Sequence, residues 1–188
     1  KGALHLTLEP INKKFDFKAG QFAFIAMQQK GLREPHPFTI ASANAANGQV
    51  EFVIRGLGDY TKKLCASAKV GMHADLYAPY GRFKRQAKAE REIWIGAGVG
   101  ISPFISWLQD TDVKDFEKAT LVYCFNPGRA FPPADQLQAM AVVPIHIAAS
   151  GAKTHSGTAS WLTRVKSYLS RLDKWVALAS QKPILTED

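Results

Sequence analysis

Several features that decide a protein's class are scarce in this sequence of 188 residues. Cysteine occurs only as Cys65 and Cys124, without CxxC spacing, which favours reduced, buried thiols in a cytosolic compartment over a disulfide or a metal site. The five histidines show neither HExxH nor other ligand spacing, so we predict no metal site. Apolar runs stay short of the roughly 18 uninterrupted residues that a membrane helix needs, and no signal peptide is visible.

Charge, by contrast, is abundant in one sign, because the formal net charge is +8. A basic balance is typical of proteins that meet nucleic acid, an acidic membrane surface or an anionic cofactor. The basic residues are scattered, and the denser stretches KLCASAK and KRQAKAER lack the interleaved aromatic residues of a single-strand binder. We therefore predict no nucleic-acid binding, which leaves an anionic cofactor or a lipid surface.

The first domain, residues 1–86, is predicted to be an antiparallel β-barrel. Short apolar segments are bounded by Gly, Pro, Asn or Asp, the pattern of strands that are separated by turns. These segments are LHLTL, GQFAFIAM, PFTIAS, QVEFVIR and HADLYAPY. One helix is expected among them, capped by Asp59 and continuing through YTKKLCASA.

The second domain, residues 87–188, follows a charged stretch at 84–92 that we interpret as a linker. EIWIGAGVGISPFISWL predicts a strand, a glycine turn and a helix, and ATLVYCF and VPIHIAA predict two more buried strands. ADQLQAMA and the apolar stripe over 161–176 predict further helices. Strands that alternate with helices favour an α/β domain with a parallel sheet.

The glycine turn places Gly96, Gly98 and Gly100 between a strand and a helix. Glycine lets backbone N–H groups approach an anion closely, and the dipole of the following helix points at the same place. This predicts a diphosphate cradle. The spacing is GxGxG rather than GxGxxG, and no acidic residue follows where a ribose contact is expected, so a ligand-free strand-to-helix turn remains the alternative.

Four segments occur in order along the chain: HPFTIAS, VIRGLGDYTKKL, APYGRF and GAGVGISPF. With them the chain resembles the ferredoxin–NADP reductase superfamily, and within it the FAD- and NAD(P)-binding dehydrogenase portion of ferric reductases and NADPH oxidases. The resemblance implies a six-stranded FAD-binding barrel followed by a nucleotide-binding α/β domain. It also implies hydride transfer from NAD(P)H to FAD, and then release of single electrons to haem or ferric iron.

The resemblance assigns the segment HPFT, which we call the rim, to the flavin. Pro37 fixes the backbone, and the residue before each proline is pushed toward an extended conformation, so the rim is pre-set. His36 stands where many relatives have an arginine that contacts the flavin diphosphate. Phe38 is expected to cover the flavin or its adenosine arm. Thr39 is the one residue given a catalytic role, with its hydroxyl or N–H near flavin N5.

The resemblance places a second FAD contact in VIRGLGDYTKKL. There, Ile54 and Arg55 end a strand and Gly58 leads into a helix, whose free N–H groups and the Thr61 hydroxyl would hold the FAD diphosphate. Arg55 would add a charge-assisted hydrogen bond. Phe83, in APYGRF, is expected in the core rather than at a cofactor.

The nicotinamide dinucleotide is assigned by resemblance to residues of the glycine turn. They are Gly96, Gly98, Val99, Gly100, Ile101 and Ser102. Many relatives have an arginine at the position of Asn126, to meet the 2′-phosphate of NADP, and here Arg129 is the candidate substitute. The cofactors expected are therefore FAD and NADP, or NAD in its place.

The chain departs from the family at its end, because no CGP-type motif supplies a cysteine beside the nicotinamide. Either the chain is a fragment, as its start at Lys1 also suggests, or the pocket is completed differently. Relatives carry a haem-bearing transmembrane domain upstream, so we expect such a partner in the same protein and a location on the cytoplasmic side of the membrane. Two alternatives remain: a non-catalytic flavin- or nucleotide-binding regulatory or docking module, and a reductase that serves a soluble iron–sulfur protein.

Overall fold

A computed structural model describes residues 3–86, 89–110, 112, 116–125 and 143–148, with residues 117 and 143–148 described by their backbone alone. We call the described residues up to 86 the first half and those from 89 onward the second half. The strands are β1 (Ala3–Leu8), β2 (Phe22–Met27), β3 (His36–Thr39), β4 (Val50–Arg55), β5 (Ala74–Tyr80), β6 (Glu92–Ala97), β7 (Ala119–Phe125) and β8 (Val143–Ala148). The α-helices are α1 (Asp59–Ser67) and α2 (Ser102–Gln109), and the 3₁₀ helices are Gly98–Ile101 and Phe116–Lys118.

The first half consists of antiparallel sheets, as the alternating segments predict. β1 pairs with β4, and β2 lies between β3 and β5. A single bridge between Ile40 and Phe52 joins the two sheets. The predicted closed six-stranded barrel is wrong for the described residues, because closure needs a continuous ladder around the sheet. Here β5 has no partner beyond β2, and β3 meets β4 only at that bridge.

The core of the first half is mainly aliphatic. Strand residues that alternate inward meet the underside of α1, whose Leu64 is fully buried. The buried cluster comprises Phe17, Ala23, Ile25, Met27, Leu32, Ile40, Val50, Phe52, Ile54 and Leu64. Both flavin segments of the sequence, the rim and the end of β4, are thus fixed to one core.

The second half contains a parallel sheet in the order β6, β7, β8, as strands alternating with helices predict. Ala97 lies opposite Cys124, so the carboxyl ends of β6 and β7 meet at one edge. A Cβ at Gly96 would stand 3.2 Å from Ile101 Cα and 3.4 Å from Phe104 Cδ2. Glycine therefore lets the chain turn sharply from β6 into α2.

The predicted cap of α1 is wrong by one residue: Gly58 is the N-cap, and Asp59 is the first residue of the helix, so its side chain makes no capping hydrogen bond. α2 has Pro103 in its first turn, as predicted, where the missing N–H costs nothing. α1 spans nine residues and α2 eight. No helix in the described part of the chain has the length and apolar character needed to cross a membrane.

The two halves meet along α2, at a contact that we call the seam. The Trp107 indole Nε1 donates to the Ala19 carbonyl at 3.0 Å, and its ring stacks on Phe83 with 4.9 Å between centroids. The Ser106 hydroxyl donates to the Ser42 carbonyl at 2.6 Å. Within the predicted linker, Arg85 Nε lies 2.8 Å from the Glu92 carboxylate.

Candidate functional site

Side chains of the rim alternate between the two faces of the sheet. Pro37 and Thr39 lie opposite Phe24 and Phe22, and residues directly opposite in an antiparallel pair share a face. Pro37 is exposed and Thr39 is half-buried. His36 and Phe38 point to the other face, where Phe38 packs against the aliphatic core. Only the Pro37 and Thr39 side chains thus share the outer face.

Of the two predicted donors of Thr39, the side-chain hydroxyl is available to a ligand. The Ile40 N–H donates to the Gln21 carbonyl at 3.0 Å, so the Thr39 N–H points away from β2, since successive backbone groups alternate along a strand. The Thr39 hydroxyl makes no hydrogen bond within the described residues. The hydroxyl can therefore reach a ligand, whereas the N–H faces the side of the strand on which Ile40 bridges to Phe52 of β4.

His36 lies against α1 rather than in open solvent. Its ring stacks on Tyr60, with centroids 3.7 Å apart and planes 28° apart. Its buried Nε2 has no hydrogen-bond partner within the described residues, and the exposed Glu34 carboxylate stands 3.6 Å away, beyond hydrogen-bond reach. Burial raises the pKa of the Tyr60 hydroxyl. A backbone hydrogen bond partly lowers this pKa, and the nearby Glu34 charge raises it further. Tyr60 thus stays neutral and holds the imidazole in place.

The turn from β4 to α1 offers the Arg55 guanidinium and an accessible backbone at Gly58 to a ligand. Ile54 is buried in the core, so only its backbone can meet a ligand. Arg55 is half-buried, and its guanidinium has no hydrogen bond or ion pair among the described residues. Gly58 has no atom within 4 Å of where a Cβ would stand. The Thr61 hydroxyl accepts from the Leu57 and Gly58 N–H groups, at 3.0 and 3.1 Å, and so shapes this turn.

The glycine turn combines a strained conformation with open space. Gly98 has φ of +52°, in the left-handed region that disfavours a side chain. Gly100 is exposed, with nothing within 4 Å of its missing Cβ. Val99 is half-buried, whereas Ile101 and Ser102 are buried.

The Ser102 hydroxyl donates to the Val99 carbonyl at 2.7 Å and closes the glycine turn. Its predicted contact with a nucleotide is therefore limited to accepting a hydrogen bond. Ile101 belongs to the core of the second half, so its side chain is structural and only its backbone remains for the predicted contact.

The two predicted cofactor segments meet at Arg55 and Gly98. Arg55 Nη1 lies 3.8 Å from the position that a Cβ on Gly98 would occupy. The end of β4 thus brings its cation to the glycine turn of the other half. The Arg55 guanidinium, which has no ion-pair partner among the described residues, thus stands beside the open glycine turn.

Two features of the site were not expected from the sequence. Tyr80, opposite Phe22, forms an aromatic cluster with Phe22 and Phe24 at centroid distances of 5.8 and 5.4 Å, on the face that carries Pro37 and Thr39. The alternation of FAF in β2 is a signal that could have located it. Phe83, expected in the core, is 51% exposed and covers Trp107 at the seam.

Other predicted features are peripheral or outside the described residues. Arg129 and Asn126 lie outside them. Both thiols are partly buried, and burial raises the pKa of Cys65 and of Cys124 above the ordinary value. Cys124 lies opposite Ala97 in the parallel sheet. Its raised pKa keeps the thiol mainly in the neutral form.

Comparison with known proteins agrees with this geometry. A family described as a FAD-binding domain matches residues 2–93. Methane monooxygenase component C of Methylosinus trichosporium is 32% identical over 130 residues, or 67% of this chain and 37% of that protein. A crystal structure of a ferredoxin NADP+ reductase from Neisseria gonorrhoeae, with bound FAD and NADP, is similar with TM-score 0.73 and 18% identity, over 97% of this chain and 76% of that one. The chain thus resembles the ferredoxin–NADP reductase superfamily and has its fold, and residues 2–93 match a FAD-binding domain.

The chain is also similar to a second group of proteins, the dual oxidases. Dual oxidase 2 of Rattus norvegicus is 35% identical over 111 residues, or 54% of this chain and 7% of that protein. The chain thus spans about a third of the methane monooxygenase component and under a tenth of the dual oxidase, as the shares of 37% and 7% state.

The match to a FAD-binding domain and the similarity to reductases with bound FAD show that the chain takes FAD as its cofactor. The residues present fit the FAD diphosphate. Arg55 offers an uncompensated positive charge, and Gly58 at the start of α1 leaves the first N–H groups of the helix accessible. Gly100 leaves a similar open approach at the glycine turn, where a second anion fits.

Proposed function

We propose that this chain is a flavin-dependent oxidoreductase module, which passes a hydride from NAD(P)H to FAD and then single electrons to haem or ferric iron. The observation that carries this proposal is the approach of Arg55 to Gly98, since it joins the flavin segment of one half to the glycine turn of the other. FAD supplies the redox chemistry, because it accepts two electrons as a hydride and passes them on singly. The chain itself binds the two cofactors and orients them.

On this proposal, the first half holds FAD through its rim and through the turn after β4. The Thr39 hydroxyl, or its N–H, is directed at flavin N5, and Pro37 keeps this segment extended. Arg55 and the start of α1 bind the diphosphate, with Thr61 holding the turn in shape. His36 and Phe38 contribute from the opposite face, where the stack on Tyr60 fixes the imidazole.

The second half holds the nicotinamide dinucleotide at the glycine turn. The backbone N–H groups around Gly98 and Gly100 receive its diphosphate, while Gly96 and Ile101 support the turn and Val99 and Ser102 line it. The reductase from Neisseria gonorrhoeae binds both FAD and NADP, which supports the same pair of cofactors here. We retain Arg129 as the candidate contact for a 2′-phosphate, and we retain domain limits of 1–86 and 87–188.

We further propose that the acceptor lies in a haem-bearing transmembrane domain upstream in the same protein, with this chain on the cytoplasmic side of the membrane. The similarity to dual oxidases supports this partner, and the net charge of +8 suits a membrane face rich in anionic lipid. The aromatic cluster of Phe22, Phe24 and Tyr80, beside Thr39, offers an exposed route to the flavin edge.

The test is to load the full chain with FAD and to add NADH or NADPH under anaerobic conditions. Reduction is expected to bleach the visible flavin absorbance in proportion to the nucleotide added. Ferric citrate and a haem protein, added next, distinguish the acceptors by restoring the absorbance. FAD that binds but is reduced by neither nucleotide contradicts the proposal and selects the non-catalytic module instead.

A further inference from the structure

Ser106 makes an unusual use of a serine inside a helix. A helical serine commonly turns its hydroxyl to solvent or to the carbonyl four residues earlier. Ser67 of α1 does so, because its hydroxyl donates to the Lys63 carbonyl at 2.9 Å. Ser106 is fully buried, and its hydroxyl instead donates at 2.6 Å to the carbonyl of Ser42, 64 residues away. The bond therefore ties α2 to the first half.

The acceptor belongs to a segment that is itself held in place. The Ser42 hydroxyl accepts from the Glu51 N–H of β4 at 3.0 Å, and the Ala41 N–H donates to the Glu51 carbonyl at 2.8 Å. Ser42 follows Thr39 by three residues, and β4 leads to Arg55. The carbonyl that Ser106 contacts is thus part of the framework that carries both flavin segments.

The donor lies close to the other cofactor segment. Ser106 follows Ser102, the residue that closes the glycine turn, by four residues. Four residues of α-helix rise about 6 Å, which is one turn. The contact is therefore one helical turn from the glycine turn and three residues from Thr39. It is a short, buried path between the two segments at which the flavin and nicotinamide are proposed to meet.

We propose that Ser106 is a positioning residue for hydride transfer, whose bond to the Ser42 carbonyl sets the distance between the glycine turn and the rim. This inference rests on the function proposed above. Without the hydroxyl, α2 loses one of its two buried hydrogen bonds to the first half and keeps the one from Trp107 to Ala19, while each half keeps its own contacts to a cofactor. Misplacing a reacting atom by about 1 Å costs on the order of 100-fold in rate. The rate should therefore fall, and the affinities should not.

The experiment compares Ser106→Ala, Ser106→Thr and the control Ser67→Ala in the full chain. Ser67→Ala removes a helical hydroxyl of the same type, but one that bonds within α1. Hydride transfer is followed by anaerobic stopped flow with NADH and with NADPH, and the FAD and NADP+ dissociation constants are measured by fluorescence. Amide hydrogen exchange of Ala43, whose N–H donates to Gln109 Oε1 at 3.3 Å, reports on the seam in protein free of FAD.

We expect Ser106→Ala to slow hydride transfer by about 10- to 100-fold while both dissociation constants change less than about twofold. Ala43 should exchange faster in the same variant without FAD. Ser106→Thr should recover most of the rate, and Ser67→Ala should match the wild type. A wild-type rate in Ser106→Ala, or a loss that follows weaker FAD binding, overturns the inference alone. If the wild-type flavin is not reduced at all, the proposed function fails, and this inference falls with it.

Discussion

The two halves of the molecule differ in the type of side chain that forms their cores. The first half packs mainly aliphatic side chains around Ile25, Ile40 and Leu64, all of them from its own residues. The second half packs rings, including Trp94, Phe104 and Trp107, and it also takes in Ala19 from the first half. The first core is thus complete without its neighbour, whereas the second is completed at the seam.

The difference between the cores assigns different tasks to the halves. The first half fixes where the flavin segments lie, because the rim and β4 rest on its core. The second half depends on the seam, where Trp107 and Ser106 bond to the first half. A substitution in the seam should therefore change the free energy of unfolding and the placement of the two cofactors relative to each other. A substitution in a cofactor segment should instead change the affinity for one cofactor or the rate of one reaction step.

The largest effect is expected from Trp107→Ala, which tests whether the seam is structural. The variant loses the ring packing against Phe83 and Trp94 and the bond to Ala19. The free energy of unfolding should fall by about 3–5 kcal/mol, the usual cost of a buried Trp-to-Ala change. Urea unfolding followed by far-UV circular dichroism measures it. Trp107→Phe, which keeps a ring, should lose about 1–2 kcal/mol, and equal losses in both variants would remove the distinction.

The next largest effect is expected from Arg55→Gln, which tests whether FAD affinity depends on the guanidinium at the site or only on the net charge of the chain. A hydrogen bond to a charged group contributes about 1.5–3 kcal/mol, so FAD affinity should fall by about 10- to 100-fold. Lys63→Gln removes the same charge from the exposed face of α1, where the ammonium group contacts the Lys30 carbonyl. Isothermal titration with FAD compares them. Similar losses in the two variants would show that Arg55 acts only through the overall charge.

Thr39→Ala should have a smaller effect, confined to one step. Removing the free hydroxyl at the edge of β3 should slow flavin reduction about tenfold, the worth of one hydrogen bond, and leave FAD affinity nearly unchanged. Stopped-flow reduction and an FAD titration separate the two quantities. Thr7→Ala, an exposed threonine of β1, is the matched control. Unchanged reduction in Thr39→Ala would remove Thr39 from its proposed place near flavin N5.

The smallest effects on stability distinguish two glycines of the same turn. Gly98→Ala forces a Cβ into a left-handed conformation and should cost about 1–2 kcal/mol of unfolding free energy. Gly100→Ala meets open space, so its stability should change by less than about 0.5 kcal/mol. Both should weaken NADP+ binding, because each methyl group occupies the approach to the turn. An undiminished affinity in Gly100→Ala would argue against the turn as the nucleotide site.

Local patterns in the sequence predicted much of the fold. Short apolar segments bounded by turn residues located β1 to β5, and the glycine turn located the junction of β6 and α2, because both signals depend on neighbouring residues. Barrel closure was predicted wrongly, since the sequence pattern of each strand does not show whether neighbouring strands pair along their whole length. The stack of His36 on Tyr60 and the bond from Ser106 to Ser42 have no local signal either. Exposed Phe83 looked like a core residue because composition does not record which face a side chain occupies.

The measurement that tests the central claim most directly is a crystal structure of the full chain with FAD and NADP+ bound. We predict that Thr39 and Gly98 line one groove, with the flavin diphosphate at Arg55, the second diphosphate at Gly98 and Gly100, and the flavin edge at the rim. Cofactors bound on separate surfaces, with the rim and the glycine turn opening to different regions of solvent, would contradict it.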